Sequence, residues 1–248
     1  MGLARVCVVT GFGINADREL ARAFEAVGGD AFRLHLLDLV ADPGQLDRTE
    51  ILALPGGFSF GDHLGAGLVF AARFRHHLAK PFFHFIARGG LTLGICNGFQ
   101  ILAKMGAVPG FEGDDPQVSL VHNESGRFVD SWVRVSFDKK SPCIWTRGLD
   151  ETELPIRHGE GRFVASERAL DQLETEHLVA VRYEGNNPNG SMRRVAGVTS
   201  RSGRLLGLMP HPEAFLAPHN HPRWSRETVL RGEGLELLRN GVREAKGG

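Results

Sequence analysis

Short apolar runs and helix-spaced apolar positions alternate along the first hundred residues of this chain. Arg5 to Thr10 is an apolar, β-branched run that stops at Gly11-Phe12-Gly13-Ile14-Asn15, after which Leu20, Ala21, Phe24 and Val27 recur at the spacing of one helical face. This predicts a strand, a glycine turn and a helix. A third glycine is missing from the position a dinucleotide fingerprint requires, so the turn reads as a connection rather than a phosphate cradle. Phe32 to Leu37 predicts a second strand and Glu50 to Leu54 a third, ending at Pro55-Gly56-Gly57. Short apolar strands separated by helix-length segments point to a parallel sheet. Phe58 to Asp62 reads as a loop, and Leu64 to Arg88 carries helical periodicity interrupted by Pro81.

The next apolar run, Leu91 to Ile95, passes through Cys96 into an amphipathic helix, with Gly94 and Gly98 flanking the cysteine. A Gly-x-nucleophile-x-Gly turn holds its central residue in strained geometry with the side chain projecting above the sheet, and the glycines leave space around it. The helix beginning at Asn97 aims unpaired N–H groups and a positive dipole end at the sulfur, which favours the reactive thiolate. A buried structural cysteine is the alternative for an isolated cysteine in an apolar run. The two glycines and the strand-to-helix change weigh against it here.

Farther along, glycines and prolines between Met105 and Val118 predict a surface linker, and Phe128 to Phe137 alternates as a long strand. Asp150 to Ile156 leads into the glycine-rich His158-Gly159-Glu160-Gly161. Ser166 is placed to cap a short helix ending near Glu176. Leu178 to Tyr183, Val195 to Thr199 and Leu205 to Met209 predict further strands, the last two joined by a hairpin at Arg201-Ser202-Gly203-Arg204. A final helix is expected from about 227 to 243.

Composition narrows the partners. With 248 residues the chain can form one large α/β domain or two small ones. Its 29 basic and 29 acidic residues balance, so no global field recommends nucleic acid or an anionic membrane. Three cysteines without regular spacing argue against a disulfide framework and a zinc site, and fit a reducing cytoplasm. Met1 to Val6 runs into a strand without the sections of a signal peptide, and no apolar run is long enough to span a bilayer.

A cysteine nucleophile needs a base, and the base needs a group to orient it. Met209-Pro210-His211-Pro212-Glu213 follows a predicted strand. In extended backbone, residues two apart face the same way, so Glu213 is placed to fix the tautomer of His211 and stabilise its cation. Attack on a carbonyl also produces an oxyanion that wants backbone donors. The N–H of Asn97, next to the nucleophile, is one source, and the Gly56-Gly57 pair is free to present another, with an ordinary turn as the alternative for that pair.

Gly94-Ile95-Cys96-Asn97-Gly98-Phe99-Gln100 with His211-Pro212-Glu213 resembles a class I, triad-type glutamine amidotransferase domain. Gly56 to Asp62, Asn123 to Phe128, Pro155 to Phe163, Asn187 to Ser191 and Gly207 to Glu213 resemble one family within it, the glutaminase subunits of phosphoribosylformylglycinamidine synthases. The likeness spans nearly the whole chain. It implies a single domain over 1–248 with a flavodoxin-like, mostly parallel sheet, helices on both faces and an antiparallel extension. It further implies hydrolysis of L-glutamine to glutamate and ammonia through a γ-glutamyl thioester on Cys96, with His211 shuttling protons and Glu213 orienting it. Gln100 and His158, Gly159 and Glu160 would hold the amino-acid end of glutamine. Ammonia would pass to an ATP-dependent synthetase subunit, accompanied by a small accessory subunit. ATP and magnesium belong to that partner, with no cofactor or metal on this chain. Glutaminase activity is expected to stay weak until the synthetase docks and aligns the loop near Gly57.

The sequence departs from the short members of that family after His-Pro-Glu, where Ala214 replaces an arginine and Phe215 to Arg226 intervenes. His219-Asn220-His221-Pro222-Arg223-Trp224 is more similar to the tail of the glutaminase domain in large fused enzymes. A metal pair at His219 and His221 lacks a nearby cysteine or carboxylate cluster, so loop packing is expected instead. Two alternatives to the amidotransferase are a cysteine hydrolase acting on another amide and a catalytically silent binding subunit.

Overall fold

The computed structural model describes residues 2–111, 116–226 and 234–247. In chain order its elements are β1 (Ala4–Thr10), α1 (Asp17–Ala26), β2 (Gly29–His35), α2 (Leu36–Ala41), β3 (Ile51–Leu54), α3 (Leu68–Ala87), β4 (Leu91–Ile95) and α4 (Asn97–Lys104). There follow β5 (Val118–Val121), β6 (Val129–Phe137), β7 (Glu151–His158), β8 (Arg162–Ala165), α5 (Glu167–Thr175), β9 (Val179–Tyr183), β10 (Val195–Thr199), β11 (Leu205–Leu208) and α6 (Gly234–Ala245). The start expected for the last helix lies outside the described residues.

A nine-stranded sheet in the order β2-β1-β3-β4-β11-β10-β9-β6-β7 forms the frame, with β5 and β8 as a separate antiparallel pair. β2, β1, β3, β4 and β11 are mutually parallel, and β10, β9, β6 and β7 extend the sheet with antiparallel neighbours. The β1-to-β2 crossover runs one way along the sheet and the β3-to-β4 crossover the other. Right-handed crossovers therefore put α1 and α3 on opposite faces. The central strands are buried from both sides, and β3 and β4 expose no residue, which is why they read as unbroken apolar runs.

Two expectations change, and one strand is added. His35 ends β2, and its ring nitrogen accepts from Leu37 N, so Leu36 onward is helix rather than strand. α3 runs through Pro81 without a break, held by Phe74, Leu78, Phe82 and Phe85 buried on one stripe, so burial outweighs one missing backbone bond. The residues after the linker form β5, which pairs with β8. Among the described residues no helix is long and apolar enough to cross a membrane.

Candidate active site

β4 lies between β3 and β11, and the chain leaves it at Cys96 with φ 52° and ψ −105°, a conformation costly for a residue with a Cβ. Flanking bonds hold it there: Cys96 N donates to Leu208 O at 2.7 Å, and Gln100 N donates to Cys96 O at 3.1 Å. Gly98 allows the first turn of α4 to sit on β3, since a Cβ at 98 would lie 1.9 Å from Leu54 O. Its role is backbone approach rather than room for the sulfur. Cys96 itself is buried.

His211 follows β11, with its N–H donating to Pro155 O of β7 at 2.8 Å. Residues Pro212–Ala214 then form a 3₁₀ turn, so His211 and Glu213 meet across a turn and not along extended backbone as the spacing suggested. His211 Nδ1 is 2.6 Å from Glu213 Oε1, both side chains being buried. An ionised carboxylate only accepts, so Nδ1 carries the proton and Nε2 is left for the sulfur. Nε2 has no hydrogen-bond partner among the described residues. Burial by itself would lower the His211 pKa, but the Glu213 charge and the Cys96 sulfur hold it well above the ordinary histidine value.

The loop after β3 is fastened to the loop after β1. Ile14 and Gly57 form a β-bridge, Phe58 N donates to Gly13 O at 3.0 Å, and the Phe12 and Phe60 rings stack at 4.4 Å. Gly56 O accepts from Asn15 N at 3.3 Å and Ala16 N at 3.2 Å, at the start of α1. In a trans peptide the next N–H points the opposite way, so Gly57 N–H is turned away from α1. Only glycine suits position 57, where φ is +153° and a Cβ would lie 2.7 Å from Ile14 Cα.

Cys96, His211 and Gly57 line one cleft of about 320 Å³ together with Asn15, Ala16, Glu19, Phe58, Phe128 and Arg157. Gln100, His158, Gly159 and Glu160 do not line it. Their polar groups engage protein: Asn97 Nδ2 donates to Gln100 Oε1 at 2.8 Å, Gln100 Nε2 donates to Glu160 O at 2.5 Å, and Ala66 N donates to Glu160 Oε2 at 3.1 Å. Asn123 N donates to Gly159 O at 2.9 Å. A larger hollow of about 510 Å³ beside Arg168 and Arg201 is lined by no cysteine or histidine among the described residues; its Ser166 caps α5, and Arg201 is paired with Glu176.

Asn123 is a positioning residue that residue chemistry alone did not single out. Its Oδ1 accepts from Gly161 N at 3.0 Å and sits 3.0 Å from His158 Nδ1, while its Nδ2 donates to His158 O at 2.8 Å. Asn189 and Ser191 continue the network, with Asn189 Nδ2 donating to Gly161 O at 2.8 Å and Ser191 Oγ receiving Phe163 N at 3.0 Å. The segments around 123 and 189, noticed only by resemblance, thus brace the end of β7. Buried His158 is held neutral, its pKa pushed down to about 4 by desolvation first and the His211 charge second. In the inserted segment, His221 packs its ring on Trp132 and Phe215 and bonds Glu153 at 2.8 Å, the packing role expected of it. No cluster among the described residues could hold a metal ion.

Residues 3–243 match the model of the CobB/CobQ-like glutamine amidotransferase domain. The phosphoribosylformylglycinamidine synthase subunit PurQ of Dehalococcoides mccartyi is 38% identical over 242 residues, with 94% of each chain covered. The subunit of that name from Rhodococcus jostii is 41% identical over 216 residues, covering 85% of this chain and 87% of its own. In the structure of PurLQS from Thermotoga maritima, a chain with 33% identity superposes at a TM-score of 0.74, with 98% of this chain and 99% of that one covered.

Proposed function

Because this chain belongs to the glutamine amidotransferase family, as a member of the glutaminase subunits of phosphoribosylformylglycinamidine synthase, we propose that Cys96, His211 and Glu213 carry its hydrolysis of L-glutamine. The observation that carries this reading is the strained Cys96 at the head of α4 beside a buried His211–Glu213 pair. The Cys96 proton passes to His211 Nε2, and the sulfur attacks the side-chain carbonyl carbon of glutamine. The resulting oxyanion is received by the N–H groups of Gly57 and Asn97, the first turned by its bonded neighbour peptide and the second unpaired at the start of α4. His211 then protonates the departing nitrogen, releasing ammonia and leaving a γ-glutamyl thioester. Water, deprotonated by the now neutral His211, cleaves the thioester to glutamate and restores the thiol.

The amino-acid end of glutamine is assigned to Gln100 and the His158-Gly159-Glu160 turn, although they do not line the cleft as it stands. This assignment requires Gln100 to exchange its bonds within the protein for bonds to the substrate. Ammonia leaves for an ATP-dependent synthetase, with a small accessory subunit completing a cytoplasmic assembly. ATP and magnesium are used on the synthetase. The bonds joining Asn15, Ala16 and Gly13 to Gly56 and Phe58, with Phe60 N donating to Phe12 O at 2.6 Å, hold the oxyanion peptide in the isolated chain, so activation by the synthetase acts on substrate access or on the inward-bonded Gln100 more than on that peptide.

Mass spectrometry of the protein mixed with glutamine should show a γ-glutamyl adduct on the Cys96 peptide. Cys96→Ala should lose both the adduct and glutamate release when assayed with the synthetase. Glutamate release surviving in that variant would sink the nucleophile assignment.

A further inference from the structure

One residue touches every member of the proposed triad and has no part in the chemistry above. The carbonyl of Arg157, in β7, lies 3.7 Å from Cys96 Sγ. Its guanidinium Nη2 lies 3.3 Å from His211 Nδ1 and 4.0 Å from Glu213 Oε1. The same Nη2 is held by Glu19 Oε2 of α1 at 3.1 Å. Both Arg157 and Glu19 line the cleft with Cys96 and His211.

Nδ1 already gives its proton to Glu213, so it has no lone pair for Arg157 to donate into. The 3.3 Å approach therefore sets a permanent cation against an imidazole that is itself a cation whenever the Cys96 proton rests on it. A like charge at this distance opposes protonation of the Cys96–His211 pair, and a carboxylate on the far side of the guanidinium offsets it. We propose that Arg157 and Glu19 form a positioning charge pair that sets the pH at which the Cys96–His211 pair becomes reactive, with Glu19 restraining the cation that Arg157 presents to His211. The inference rests on the triad reading above.

The other groups facing His211 do not supply such a counterpoise. Glu213, from its own turn, and Cys96, from the elbow, both favour the imidazolium. His158, next to Arg157 in β7, is neutral through most of the accessible pH range because burial pushes its pKa to about 4. Arg157 is thus the one permanent cation against His211 among the described residues, and Glu19 is its exposed partner.

The pair makes a prediction of opposite signs. Removing the cation with R157Q should raise the pH midpoint of Cys96 reactivity. Removing the restraining anion with E19Q leaves Arg157 uncompensated and should lower it. The test is the rate of Cys96 alkylation by iodoacetamide from acid to alkaline pH on the full chain, read by mass spectrometry of the Cys96 peptide. Each single variant should shift the midpoint by roughly half a unit or more, in opposite directions. R157K should stay near the native midpoint because it keeps the charge, and the R157Q/E19Q pair should return towards it. Midpoints unmoved in both single variants, or moved the same way in both, would overturn the proposal, and a loss of folding in R157Q leaves E19Q and R157K to decide it. Alkylation needs neither glutamine nor turnover. Failure of the glutaminase reading would therefore appear in the thioester experiment, not in this one.

Discussion

Replacing Asn123 by alanine is expected to loosen the site without touching the nucleophile. The native side chain satisfies buried His158 O, His158 Nδ1 and Gly161 N at 2.8 to 3.0 Å, and also receives support from Arg127 O at 2.9 Å. Arg127 sits on an exposed turn, and its carbonyl can turn to water. The other three groups are enclosed and would be stranded. At about 1 to 1.5 kcal/mol for each buried group left without a partner, the variant should lose about 3–5 kcal/mol of stability. For a chain of this size that corresponds to a fall in Tm of about 10 °C. Asn123→Asp keeps the Oδ1 acceptor and loses the Nδ2 donor, so it should fall between the two. Thermal unfolding followed by circular dichroism at neutral pH measures the effect. A Tm for Asn123→Ala within about 2 °C of the native protein would show that the network is not the brace described here, because even one stranded group should cost more.

Two further outcomes follow from the same geometry. Gly57→Ala should reduce glutamate release by about 10²–10³-fold while the chain stays folded, because a Cβ forced against Ile14 displaces an oxyanion donor; glutaminase kinetics beside a circular dichroism spectrum checks this, and near-native turnover would remove Gly57 from the oxyanion site. His158, neutral when folded, takes up a proton near pH 6.5 once unfolded, so its contribution is complete above that pH and is lost as the pH falls towards about 4. The loss is worth about 3 kcal/mol at its limit. Urea unfolding from pH 7 to pH 4 should therefore show a shallower decline for His158→Gln than for the native chain, and parallel curves would contradict the buried neutral histidine.

Local chemistry made several features legible. The run from Leu91 into Cys96 needs only a strand, a tight turn and a helix start, all encoded within ten residues, and the His211–Glu213 pair is separated by a single residue. Ser166 was readable as a cap for the same reason, and its Oγ accepts from Ala169 N at 3.2 Å. Where a neighbour in sequence competed with burial, the pattern misled. Pro81 read as an interruption because its cost is local, whereas the stripe of Phe74, Leu78, Phe82 and Phe85 that overrides it is satisfied only in the folded core.

The amino-acid sequence by itself determined the parallel core, the strand-to-helix turn at Cys96 and the family to which the chain belongs, and it singled out the residues proposed as nucleophile and base. Tertiary structure alone decided how these parts are held. Asn123 meets Gly161 38 residues later, and Arg157 meets Glu19 across 138 residues. Side chains that far apart carry no shared periodicity, and their polarity is as compatible with solvent as with each other. Only the contact of β7 with His211 and the Pro212–Ala214 turn, and of α1 with the Gly56 loop, brings these charges onto His211. That is why Cys96, His211 and Glu213 could be singled out from their own neighbourhoods while Asn123, Arg157 and Glu19 could not.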